Sequence, residues 1–239
     1  MKFRPTAADI PAPPGMSQGS VIPLSAKIII TGFWVVLFPI YCHTYGLTNF
    51  LWFCDAALFL TVVGMWREST LLISACAVGI LVPQCLWLLD FALNALGIHF
   101  LSLTAYMFDA RLPLFIRALS LFHGWLPPLL VWLLFRVGYD PRGLKVWTAL
   151  AAALLLASYL FAPPAGAPLA NPNAPLNINY VDGFNDRRPQ SWINEKFYLV
   201  LWWGGLWLVA WLPTHFVLRK CFAVRAPLAF TKPSIRFLN

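Results

Sequence analysis

Cys54 and Asp55 adjoin inside an otherwise apolar run, Asn49-Phe-Leu-Trp-Phe-Cys-Asp-Ala-Ala-Leu-Phe-Leu60. A thiol there is a candidate nucleophile if a base lies within reach. His123, in Leu121-Phe-His-Gly124, is the one deep candidate for that base. An ionised carboxylate in hydrocarbon costs at least ~2.5–3.5 kcal/mol on insertion scales, so Asp55 must face other protein or take up a proton. Asp90 and Arg117 lie in or at the ends of further apolar runs, and Arg117 is the natural partner for Asp55 or Asp90. Asn49, Gln84 and Ser120 complete a polar set strung along the same segments. Buried polar residues of this kind mark function by default, and a salt bridge clamping three helices is the structural alternative.

Spacing constrains the chemistry. Adjacent helical residues point about 100° apart, so Cys54 and Asp55 need not cooperate directly. Arg117, Ser120 and His123 are three apart and spread over roughly 120° of a helix surface. Their estimated depths leave Cys54 and His123 ~7 Å apart along the membrane normal. A lone membrane histidine also serves as a helix-to-helix hydrogen-bonding residue. Metal chemistry is not indicated: His43, His99 and His215 form no HxxxH or HxxE pair, and the five cysteines form no CxxC. No cofactor is expected.

The elements that must position these residues follow from composition. The 239-residue chain is 60% apolar and only 11% charged, against about 25% charged in soluble domains. Its apolar runs match the roughly 20 residues that a helix needs to cross a bilayer. The expected fold is an all-α polytopic membrane protein of about six helices: roughly 27–41, 49–66, 70–91, 113–136, 144–161 and 197–218. A Pro-rich arm (1–26) precedes them and a basic tail (220–239) follows. Residues 92–112 read as an interfacial segment, and 162–196 as a long polar loop. A loop of that length is usually functional or disordered.

Basic residues set the orientation. With both termini cytoplasmic, the inner side holds Lys2, Arg4, Lys27, Arg67, Arg136, Arg142, Lys145, Arg219, Lys220, Arg225, Lys232 and Arg236, and the outer side holds Arg111, Arg187, Arg188 and Lys196. Twelve against four favours N-in, C-in. The polar residues then fall in the outer half, which predicts a polar pocket opening outward, lidded by the long loop. Nucleic acid is excluded as a partner, because the net charge of +8 is spread over helix ends and tail. Membrane lipids are the expected partners, with further membrane subunits as docking partners for arm and tail. The expected location is a bacterial inner membrane. Trp203, Trp207 and Trp211, four apart, read as part of an interfacial aromatic belt.

The order of short motifs adds a further indication. Asn49…Phe53-Cys54-Asp55, Val82-Pro83-Gln84, Leu121-Phe122-His123-Gly124 and Asn177-Ile178-Asn179-Tyr180 together resemble the YwaF-like integral-membrane acyltransferase family. More distantly they are similar to the androgen-induced intramembrane hydrolases. The resemblance implies about six helices and a buried nucleophile, Cys54, with His123 as its base, acting on acyl chains of lipids. It also implies that Asn177, Asn179 and Tyr180 line the site, and Asp182 joins them as an outer-loop candidate. Three functions therefore stand side by side: lipid acyl transfer or hydrolysis, a non-catalytic subunit of a larger membrane assembly, and a small-molecule or proton transporter. The absence of an internal repeat ranks the transporter last.

Overall fold

A computed structural model describes residues 20–99, 101 and 103–222. Among these residues all regular structure is helical. The elements are α1 (Leu24–Thr44), α2 (Phe53–Trp66), α3 (Thr70–Ala95), α4 (Leu114–Leu119), α5 (Phe122–Val137), α6 (Gly143–Phe161), α7 (Glu195–Leu206) and α8 (Leu212–Cys221). Five stretches are long and apolar enough to cross a bilayer: α1, α3, Leu114–Val137, α6 and Glu195–Cys221. The shorter α2 is a sixth apolar helix. Its 14 residues reach ~21 Å, against ~30 Å of hydrocarbon. The Pro-rich arm up to residue 19 and the basic tail from residue 223 lie outside the described residues.

Chain entry and exit share one face. Lys27 Nζ, near the start of α1, lies 2.8 Å from Glu68 Oε1 in the α2–α3 turn. On the same side Thr70 donates to the Val137 carbonyl at 3.2 Å, and Phe222 packs on Phe135 at 4.8 Å. Seven of the described basic residues belong to this face and four of those expected outside belong to the other, the distribution that the positive-inside rule associates with a cytoplasmic face.

α3 is the axle of the bundle. Its run Ile73–Ile80 is buried without a break, as expected for a helix packed on several sides. Packing is close enough to require glycine: a Cβ on Gly79 would meet the Trp147 ring of α6 at 1.8 Å. α1 and α6 turn much of their surface outward, with Ile29 67% and Phe161 73% exposed. Lipid tails solvate such surfaces.

Several boundaries differ from the sequence expectation. α1 starts at Leu24 and is 21 residues long, and α3 runs on to Ala95. α2 starts at Phe53, because Leu47–Leu51 coil as a tighter 3₁₀ turn after Gly46 (φ 88°). The expected fourth helix breaks at Ser120–Leu121 into α4 and α5, ahead of Pro127 and Pro128. A π turn, Trp207–Trp211, joins α7 to α8. Pro213 explains it: lacking an N–H and crowding the carbonyl four residues back, it cannot continue the ladder. The turn swings Trp211 inward, where it is fully buried, and Trp203 donates its indole N–H to the Thr148 carbonyl at 3.2 Å. Those two tryptophans therefore belong to the bundle, not to an interfacial belt.

Candidate functional site

The site begins at the outer end of α2. Trp52 is the N-cap, so Phe53, Cys54 and Asp55 occupy the first turn, where backbone N–H groups lack intrahelical acceptors. Asn179, on the outer loop, supplies one: its Oδ1 accepts from the Phe53 amide at 3.1 Å. The Asn179 side chain also donates to the Leu51 carbonyl at 2.8 Å and to Ser158 Oγ at 3.1 Å. Cys54 Sγ donates to Asp55 Oδ2 at 3.6 Å. The two neighbours therefore do meet, contrary to the angular expectation, because first-turn side chains fold over the open helix end.

Among the buried side-chain atoms without a hydrogen-bond partner in the protein are Asp55 Oδ1, Asn49 Nδ2, Gln84 Oε1 and Tyr45 Oη. Asp55, Asn49 and Gln84 are 5%, 6% and 2% exposed. Unpaired buried polar atoms cost roughly 1–3 kcal/mol each. Measured from the shared inner turn, Asp55 stands about 17 Å above Trp66 and Gln84 about 21 Å above Thr70 at ~1.5 Å per residue, within one turn of each other. Tyr41 and Tyr45 lie within electrostatic reach of Asp55. Tyr106 lies within reach of Cys54 and Tyr45, and Tyr180 within reach of Cys54. Tyr41 and Ser120 are bonded at 2.7 Å, which ties α1 to the α4–α5 break. None of these tyrosines was singled out as a site residue except Tyr180. The i, i+4 pair Tyr41 and Tyr45, on one face of an apolar helix, was the available signal.

His123 stands on the α5 side. Its Nδ1 bonds the Ser120 carbonyl at 2.7 Å. A carbonyl only accepts, so Nδ1 carries the proton and Nε2 presents a lone pair. The ring stacks on Trp87 with centroids 4.6 Å apart and on Phe122 at 4.1 Å. Pro127 and Pro128 have no N–H, which leaves the His123 and Gly124 carbonyls without their helical donors. No hydrogen bond joins His123 to Cys54 among the described residues; the thiol's hydrogen-bonding side chain is Asp55.

Two expectations are corrected. Arg117 does not pair with Asp55 or Asp90: its Nη1 donates to the Met107 carbonyl at 2.9 Å, because the outer segment folds back over α4. Asp90 instead organises that segment. It accepts from the Leu101 amide at 2.8 Å, the Thr104 amide at 2.9 Å, Thr104 Oγ1 at 2.8 Å and Asn94 Nδ2 at 3.0 Å.

The outer loop is an ordered lid. Asn177, Asn179 and Tyr180 all take left-handed φ values, 50°, 56° and 60°, which asparagine tolerates better than most residues. Asn177 Oδ1 accepts from the Asp182 amide at 2.8 Å, and its Nδ2 donates to the Gly183 carbonyl at 2.8 Å. Asp182 Oδ2 accepts from the Ala165 amide at 2.9 Å. Asn177 and Asp182 thus hold the lid's shape, while Asn179 and Tyr180 face the helices. Beside the lid, a cleft of about 300 Å³ is lined by His43, Thr44, Arg111, Pro113, Asn171 and Asn173 among others. Asn171 Nδ2 bonds the Thr44 carbonyl at 2.9 Å, one residue before Tyr45.

No group of three or more His, Cys, Asp or Glu side chains among the described residues is arranged to hold a metal ion. The fold and its apolar helices define the chain as an all-α multi-pass membrane protein. Compared with known protein families, curated proteins and solved structures, it matches none.

Proposed function

We propose that this protein transfers or hydrolyses an acyl group of a membrane lipid, with Cys54 as nucleophile. The observation that carries this reading is the thiol's setting: a helix first turn and a carboxylate 3.6 Å away. Asp55 Oδ2 takes the thiol proton as Sγ attacks the acyl carbonyl carbon. The negative charge developing on the carbonyl oxygen faces the α2 amides, as in an oxyanion hole. Collapse expels the lipid alkoxide, which recovers the proton from Asp55 and leaves a thioester on Cys54. A hydroxyl or water then attacks the thioester, losing its proton to the lone pair of His123 Nε2, and the thiol re-forms.

The resemblance to intramembrane acyltransferases supports the same residues, and an orientation with the lid outside admits lipid from the outer half. The test is turnover of a fluorescent phospholipid by purified protein in lipid discs. Cys54→Ala is expected to lower turnover by roughly a thousandfold or more. Wild-type protein should accumulate a hydroxylamine-sensitive acyl adduct on Cys54. Turnover unchanged in Cys54→Ala sinks the proposal.

A further inference from the structure

We infer that the cleft between α1, α4 and the lid seats the phosphate of a membrane phospholipid. Neither Cys54 nor Asp55 lines it, so the inference goes beyond acyl transfer and stands or falls without it. The cleft measures about 300 Å³, the scale of a small ligand site. Its polar lining is His43, Thr44, Arg111, Asn171 and Asn173, with no Asp or Glu among the described residues. Arg111 gives its Nε and Nη2 edge to Asp109 at 2.6–3.0 Å, which fixes the guanidinium plane and leaves Nη1 open. Asn171 is a strut: its Oδ1 accepts from the Asn173 amide at 3.0 Å and its Nδ2 donates to the Thr44 carbonyl. The side chains of Asn173 and His43 make no hydrogen bond among the described residues. Three unengaged donor groups therefore line one cleft.

A phosphate diester carries one negative charge and offers acceptors only, which matches donors without a lining carboxylate. An ammonium group would meet Arg111 and find no counter-charge there. Asp109 offsets part of the Arg111 charge, but a guanidinium already held in place loses less freedom on binding. Position adds the lipid. Thr44 closes α1 and Leu114 opens α4 at the end of the bundle away from the Lys27–Glu68 pair. That is the level where spans leave hydrocarbon for headgroups. Leu112, Pro113 and Ile116 form the apolar side of the cleft. Leu114 and Phe115, 73% and 58% exposed, offer the adjoining surface to an acyl chain.

The test reads lipid retention, not turnover. The protein is placed in bilayer discs holding equal parts of phosphatidylglycerol and a galactosyl diacylglycerol with the same acyl chains, and retained lipids are weighed by native mass spectrometry. Phosphatidylglycerol is expected to be kept about tenfold over the glycolipid, the scale of one charge-assisted hydrogen bond. A double variant, Asp109→Asn with Arg111→Gln, removes both charges together and should bring retention to parity at an unchanged melting temperature. Asn173→Ala should lower the preference about threefold. Cys54→Ala should keep it in full, which separates the cleft from the proposed nucleophile. Parity in wild type overturns the inference. So does a preference that both cleft variants leave untouched, as binding at the basic face around Lys27 would be. Displacement of the lipid by millimolar inorganic phosphate assigns the cleft to the free anion and overturns the lipid as its occupant.

Discussion

Asn179 Oδ1 accepts the backbone N–H of Phe53 at 3.1 Å, across 126 positions of sequence. A loop residue thereby acts as the cap of the helix that carries Cys54 and Asp55. The same side chain reaches Leu51 and Ser158, and its carbonyl accepts from Trp202 Nε1 at 2.8 Å. The lid, α2, α6 and α7 meet at this one residue.

Removing that side chain strands a buried backbone donor and a buried carbonyl. Asn179→Ala is expected to cost about 1–3 kcal/mol, the penalty for groups left unpaired. Asn179→Gly should cost somewhat less, since glycine accepts the left-handed backbone without strain. Melting temperatures of the two variants in detergent, both several degrees below wild type with alanine the lower, are the check. Equal melting of alanine variant and wild type would refute the cap.

Glu68 makes a second cap-like hub, on the inner face. It accepts from Lys27 Nζ at 2.8 Å, from the Val21 and Ile22 amides at 3.2 Å each, and from Ser20 Oγ. Desolvation alone would push its pKa up, but these hydrogen bonds outweigh it and hold the carboxyl down to about 2. A carboxylate whose folded pKa is depressed contributes stability above its unfolded value of about 4.3, lost as pH falls through the folded value. Glu68→Gln should therefore be less stable than wild type at neutral pH by about 1–2 kcal/mol after solvent screening. The gap should close between about pH 4.3 and about pH 2. A gap independent of pH across that window would count against it.

Gly79 faces the Trp147 ring at a distance no Cβ can share. Gly79→Ala should force α3 and α6 apart and destabilise by about 1–3 kcal/mol, as overpacked cores do. Pairing it with Trp147→Phe, which removes the crowded part of the indole, should recover a good part of the loss. Thermal unfolding of the single and double variants measures this coupling, and strict additivity would contradict it.

Orientation has its own readout. Cys221 is exposed at the end of α8, on the face that carries most of the described basic residues. A membrane-impermeant maleimide should label it in inverted vesicles and not in right-side-out ones. Labelling only in right-side-out vesicles would reverse the topology and place the lid inside.

The amino-acid sequence determined the helical membrane class by itself, because lipid cannot pair backbone groups and long apolar runs have no other solution. It also marked Asn49, Asp55 and Gln84 as polar residues set in otherwise apolar runs. Only the tertiary structure decided the partners. The start of α2 depends on Asn179, far along the chain; the place of Arg117 depends on where Met107 folds back; Asp90 serves Leu101 and Thr104. Trp211 turns inward through a π turn that an apolar repeat does not reveal. Hydropathy and spacing are local properties, whereas a hydrogen bond is filled by whichever group the folded chain brings within 3 Å or so. Asn49, Asp55 and Gln84 were therefore legible as residues, Tyr45 was not, and their contacts were not.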